Sequence, residues 1–393
     1  MRRYSANYVC TVSQPPIKNG IVEVDETGVV LNVINPGKEF QEIHSTEFYN
    51  GVIVPGFINT HCHLELSHLL NQFSKGLGIA EFIKAVSEQR IIEQRDVLEA
   101  IKKSISELER TGTVVVGDIC NTIDTVFFKA ASKIHFHNFI EIFGINPNDA
   151  RQTLDKSLRV ENEFKKFFPN STSLTPHSTY SLSNALWTLL QEAIMNYEFP
   201  ISIHFAESQP EYEFLQHGTG PILDRYKLLK VPFDIPLGLS PVKIIFNYID
   251  RNQDLLLIHD TFASIEELKK VNDYFRKVTF VTCPESNLFI EGQLPDLLAM
   301  HQNSLRIAVG TDSLASASTL SMLNQINLIL NNYPEIPFHE VLKWATLNGA
   351  EALNVSDIYG SIDTGKRPGL NLITNFDFAN MRPQSTSGVK RLV

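Results

Sequence analysis

Val52-Ile53-Val54-Pro55-Gly56-Phe57-Ile58-Asn59-Thr60-His61-Cys62-His63 is an apolar, β-branched run that ends in two histidines. Its apolar residues follow one another instead of alternating, which suits a strand in a sheet covered by helices. A polar break and a longer segment of helical periodicity follow it, and the same grammar recurs as far as residue 312. We read strands at Val52–Ile58, Thr113–Ile119, Ile134–Phe143, Leu174–Pro176, Pro200–Phe205, Leu255–His259, Val278–Cys283 and Arg306–Gly310. Helices are expected over 79–92, 97–110, 183–197, 264–274 and 319–330. Eight strands alternating with helices predict an α/β fold, a (β/α)8 TIM-type barrel over residues 51–354. Its weakest element is the fourth strand, which is short and carries Pro176.

The flanks read differently. Ile21–Val24 and Val29–Ile34 alternate and are broken by Gly20, Thr27-Gly28 and Pro36-Gly37, the pattern of a small antiparallel sheet. The stretch from Gly360 to Phe378 returns to that style with Asn371-Leu372-Ile373-Thr374. The two ends, 1–50 and 355–393, are therefore expected to pair into one small β-sandwich-like domain beside the barrel.

Composition narrows the function classes. Apolar residues make up 43% and charged residues 20% of the 393, the balance of a soluble enzyme and too polar for a membrane protein. No run approaches the roughly 18 apolar residues of a spanning helix. The first residues, MRRYSANYVCTVSQPP, lack the apolar core of a secretory signal, so a cytoplasmic location is expected. Cys10, Cys62, Cys120 and Cys283 are scattered without a C-x-x-C pair, which predicts buried free thiols. A net charge of −10 and no basic stripe argue against a nucleic-acid surface.

Residues two apart on an extended chain point the same way, so His61 and His63 can reach one ion while Cys62 faces away. With 12 histidines in the chain, about 0.4 such pairs arise by chance, so the pair needs support. His135-Phe136-His137 has the same spacing but opens its strand, and barrel chemistry sits where strands end. The other strand ends supply the support: His204-Phe205-Ala206-Glu207, His259-Asp260 and Thr311-Asp312-Ser313. Three imidazoles and one carboxylate gathered there leave a position open for water, the coordination of a catalytic zinc.

Pro55 through His63, with His204-x-x-Glu207, His259 and Asp312, resembles the amidohydrolase superfamily, in particular its mononuclear branch of deaminases and chlorohydrolases. Gly360-Ser361-Ile362-Asp363-x-Gly365-Lys366 is similar to that family's return to the β domain, so the resemblance spans nearly the whole chain. It implies metal ligation by His61, His63, His204 and Asp312. Two-metal members carry a modified lysine on strand four, and residues 173–180 hold none, which favours one divalent ion, zinc first and iron or manganese next.

In that setting the metal would activate a water, with Glu207 as proton shuttle, His259 holding the water and Asp312 both binding the ion and accepting a hydrogen bond. The resemblance implies substrate contact by His177, and Asn287 in Cys283-Pro284-Glu285-Ser286-Asn287 is placed to bond a ring. Leu64-Glu65-Leu66-Ser67 resembles the pattern of aminodeoxyfutalosine deaminases, where the glutamate faces a ribose, although Leu66 replaces their phenylalanine. The reading is a hydrolytic deaminase of an aminopurine nucleoside or related ring, with a small-molecule substrate, no nucleic acid or membrane partner, and a homodimer implied by the family. The alternatives are cleavage of a carbon–halogen bond, a cyclic amide or another C–N bond at the same site, and a catalytically silent scaffold.

Overall fold

The computed structural model describes residues 1–37, 43–90, 93–195 and 197–393. Two four-stranded parallel sheets lie at its centre. One contains β1 (Phe57–Cys62), β2 (Thr113–Cys120), β3 (His135–Ile142) and β4 (Thr172–Pro176), hydrogen-bonded in chain order. The other contains β5 (Ile201–Phe205), β6 (Asp254–His259), β7 (Lys277–Thr282) and β8 (Ile307–Val309), again in chain order. Their edges meet twice, through parallel bridges between Ser178 and His204 and between Cys62 and Asp312. At the second seam Thr60 Oγ1 donates to the Val309 carbonyl at 2.8 Å, and the Asp312 amide donates to the His61 carbonyl at 3.0 Å. Gly310 permits this approach: a Cβ there would stand 2.8 Å from that of His61.

The strand expected over Val52–Ile58 is two strands. Thr46–Pro55 belongs to another sheet, and Gly56 separates it from β1. Both halves are buried, so hydrophobicity runs unbroken through the junction and hides the change of partner. Thr46–Pro55 crosses the boundary expected at residue 50. It lies in a seven-stranded sheet with Leu370–Ile373 and Val389–Arg391 on one side and Arg2–Val9, Ile21–Val24 and Val30–Ile34 beyond it; Ile17–Lys18 pairs with Arg2–Val9. Strands from both chain ends thus share one sheet. That sheet is mixed, not antiparallel as expected, because Arg2–Val9 runs parallel to Thr46–Pro55, the chain between them making a crossover.

Helices cover the parallel strands. Gln94–Arg110 buries Val97, Ile101, Ile105 and Leu108 at the three- and four-residue spacing of one helical face. These residues pack on Val116 of β2 and Phe136 of β3, where Cys62 also lies. Ser183 caps Asn184–Ile194, and a Ser264–Glu267 capping box starts Ile265–Tyr274. The first expected helix spans Ile79–Gln89, and its predicted end at 91–92 lies outside the described residues, as does residue 196 in the 183–197 helix. The last begins at Met322, three residues later than expected. All four cysteines are free and buried. Among the described residues no helix is long and apolar enough to cross a membrane.

One buried ion pair sits under the strand ends. Lys129 Nζ lies 2.6 Å from Asp118 Oδ2, both side chains fully buried. Lys129 also donates to Asn138 Oδ1 at 2.8 Å, and Asp118 Oδ1 accepts the Leu64 amide at 2.8 Å. A charge in the core thereby fixes the backbone immediately after His63.

Candidate metal and catalytic centre

The C-terminal ends of β1, β5, β6 and β8 bring His61, His63, His204, His259 and Asp312 together. His61 Nε2 and His63 Nε2 are 3.1 Å apart, and Asp312 Oδ1 lies 3.6 and 3.4 Å from them. Ligand atoms of His61, His204 and His259 lie within 4.8 Å of one another, and so do those of His61, His63 and Asp312. Burial favours neutral rings: it pulls His63 down to about 4, and lowers His204 and His259 as well. Neutral imidazoles present lone pairs, the form in which they bind metal.

Neighbouring groups fix which nitrogen is free. His204 Nδ1 donates to the His177 carbonyl at 2.7 Å, leaving Nε2 without a proton. His259 Nδ1 is 2.8 Å from Asn287 Oδ1, which fixes the same tautomer. Asp312 Oδ2 accepts from Ser286 Oγ at 2.6 Å and Ser316 Oγ at 3.0 Å, so Oδ1 faces the histidines. Glu207 Oε1 stands 3.4 Å from His259 Nε2, and burial raises its acid well above the ordinary carboxylate range. Ala206, His259, Asp260 and Asp312 all have φ between 48° and 82°, left-handed backbone concentrated at the strand ends that carry these groups.

Beside this cluster lies a cavity of ≈ 400 Å³, within the size range of small-molecule sites. His63, His177, His204, Glu207, His259 and Asp312 line it, together with the apolar Ile79, Phe82, Ile83, Ile222 and Leu229. Arg90, Asn121, Glu141 and Arg225 add further polar groups to its lining.

A family model described as the amidohydrolase family matches residues 52–387. The chain belongs to the amidohydrolase family. It is 27% identical over 348 residues to a protein named adenosine deaminase from Helicobacter pylori, covering 85% of this chain and 81% of that one. Its fold is that of the Helicobacter pylori aminofutalosine deaminase solved in complex with methylthio-coformycin, with a TM-score of 0.81, 22% identity and coverage of 97% and 94%. It also matches an adenosine deaminase from Xanthomonas campestris solved with bound zinc, with a TM-score of 0.72, 20% identity and coverage of 94% and 84%.

Set against the sequence reading, this amidohydrolase brings His61, His63, His204, Glu207, His259 and Asp312 into one cluster. His177 lines the cavity and stacks on His204, ring centroids 4.7 Å apart. Asn287 holds His259 and is absent from the cavity wall. Glu65 is buried and bonded to Arg90 and to the Asn121–Thr122 turn, and it does not line the cavity. His135 and His137 open β3, far along the strand from its catalytic end, and His137 bonds Ser173 Oγ. Glu141, Arg90 and Asp118 carry tasks at this site and were not among the residues singled out from the sequence. Asp118 carried a signal, an acid inside the largely apolar Thr113–Cys120; Glu141 shares its strand with His135, His137 and Asn138 and stood out less, and Arg90 carried none.

Proposed function

We propose that this amidohydrolase binds one divalent ion, zinc, through His61, His63, His204 and Asp312, and hydrolytically deaminates an aminopurine nucleoside of the aminodeoxyfutalosine type. The setting we infer is a (β/α)8 barrel closed by the two seams described above, with a small β domain made by the strands of both chain ends. The observation that carries the reading is the convergence of His61 Nε2 and His63 Nε2, 3.1 Å apart, on Asp312 Oδ1, with ring nitrogens of His204 and His259 within 4.8 Å of one of His61. The residues fit such an ion, since His204 and His259 are held in the right tautomer and Asp312 Oδ2 is occupied elsewhere. Zinc suits this nitrogen-and-oxygen donor set and is the ion in the Xanthomonas campestris relative.

A bound dication supplies the Lewis acidity that brings the pKa of water toward neutrality. His259 Nε2, without its own proton, accepts from the attacking water and aims its oxygen at the ring carbon bearing the amine. Asp312 holds a second hydrogen of that water. Glu207 gives its proton to the amine as the C–N bond breaks and ammonia leaves, and regains the one that His259, 3.4 Å away, took from the water; the second hydrogen, held by Asp312, ends on the ring nitrogen of the 6-oxo product. Burial holds the first of these protons on Glu207 until the amine takes it. His177, on the cavity wall, contacts the base.

The reading is tested by following the ultraviolet change as a 6-aminopurine nucleoside becomes the 6-oxo form. Turnover of adenosine, 5′-methylthioadenosine or aminodeoxyfutalosine supports it; an intact chromophore for all three, with metal bound, removes it.

A further inference from the structure

We propose that Glu141, at the end of β3, reads the sugar of the nucleoside by accepting its vicinal hydroxyls; this rests on the nucleoside reading above. The sequence pattern gives that task to Glu65, but the carboxylate of Glu65 is fully engaged. Its Oε2 accepts from Arg90 Nη2 at 2.9 Å. Its Oε1 accepts the amides of Asn121 and Thr122 at 3.0 and 2.7 Å, and Thr122 Oγ1 at 3.0 Å.

Those bonds set the orientation of the next group. Arg90 Nη2 also donates to Asn121 Oδ1 at 3.0 Å. A guanidinium only donates, so Asn121 must present its oxygen to Arg90 and its Nδ2 to the other side. There it donates to Glu141 Oε2 at 2.9 Å. One oxygen of Glu141 is thus held by a chain of three side chains. The other, Oε1, is buried and has no hydrogen-bond partner among the described residues.

Oε1 lies 3.9 Å from His204 Nδ1, whose proton goes to the His177 carbonyl. Glu141 is 7% exposed and lines the cavity, and ligand atoms of Glu141, His177 and His204 lie within 4.8 Å of one another. A desolvated carboxylate oxygen facing a cavity calls for donors from the occupant. The ring nitrogens N1, N3 and N7 of an aminopurine nucleoside are all acceptors. Its donors away from the reacting amine are the sugar hydroxyls, and a vicinal pair suits one carboxylate.

The test compares kcat/KM for adenosine and 5′-methylthioadenosine with their 2′-deoxy and 3′-deoxy forms, in the metal-loaded native protein and in Glu141→Gln. The native protein should prefer the ribosides about ten- to hundredfold, the span of one charge-assisted hydrogen bond. Glu141→Gln, which places a donor where the acceptor was, should keep its metal and its melting temperature while losing that preference through KM. Equal use of riboside and deoxyriboside by the native protein overturns the proposal without help from the variant. So does an equal loss for both sugars in Glu141→Gln, which would put the contact elsewhere, or a loss of metal, which would make Glu141 a support of His204. Failure of every nucleoside with the native protein would instead remove the deaminase reading itself.

Discussion

His61 Nε2 and His63 Nε2 face each other across 3.1 Å, and Asp312 Oδ1 completes the triangle at 3.6 and 3.4 Å. A dication placed among these three atoms satisfies both nitrogens and the carboxylate together. The rest of the centre is built around that triangle: Ser286 and Ser316 turn Asp312 toward it, and the His177 carbonyl does the same for His204.

His63→Ala should therefore lower bound metal from one equivalent to a small fraction, and activity with it. Elemental analysis after dialysis measures this. A variant holding a full equivalent would exclude His63 as a ligand.

Glu207→Gln should retain the metal and lose about 10²- to 10⁴-fold in turnover, the usual contribution of a positioned acid–base group. Native turnover in this variant would take Glu207 out of the proton path.

His135→Ala should leave metal content unchanged, since His135 sits at the opening of β3. Loss of metal would mean that strand polarity does not govern which histidine pair binds.

Lys129→Met should destabilise the protein by about 3–5 kcal/mol, because it leaves the Asp118 charge buried without a partner. Urea unfolding measures the cost, and the double variant Asp118→Leu/Lys129→Met should recover part of it. A single variant as stable as the native protein would show that the pair carries no such role.

Glu211 gives a pH prediction. Burial, opposed by the bonds from Thr179 Oγ1 and the Glu207 amide, pushes its acid up to about 8 from the ordinary 4.5. The folded protein then holds a proton that the unfolded chain has released, so Glu211's contribution is fully present below pH 4.5 and is lost as pH rises toward and through 8. Glu211→Gln, a mimic of the protonated acid, should flatten that part of the profile of melting temperature against pH. An unchanged slope would mean that Glu211 is ionised in the folded state.

Much of this was legible in the sequence because strand ends carry the chemistry. An apolar run stopping at His61, His204, His259 or Asp312 marks both a strand and its functional end, and His135-Phe136-His137 is separated by polarity alone. The junction at Gly56 was not legible, because burial on both sides leaves no polar residue to mark it. Glu65 and Asn287 were recognised as polar residues near the centre, but hydrogen-bond partners decide their tasks. Arg90, 25 residues away, occupies Glu65, and His259, 28 residues away, occupies Asn287. Such long-range pairings have no periodicity to reveal them.

The most direct test of the central claim is ammonia release by the metal-loaded protein, and by the same protein after chelation, across aminodeoxyfutalosine, adenosine, S-adenosylhomocysteine, guanine, cytosine and a pterin. Release from a 6-aminopurine nucleoside that disappears on chelation and returns with one equivalent of zinc is the expected result. Silence across the panel with one metal bound, or release that survives metal removal, would contradict it.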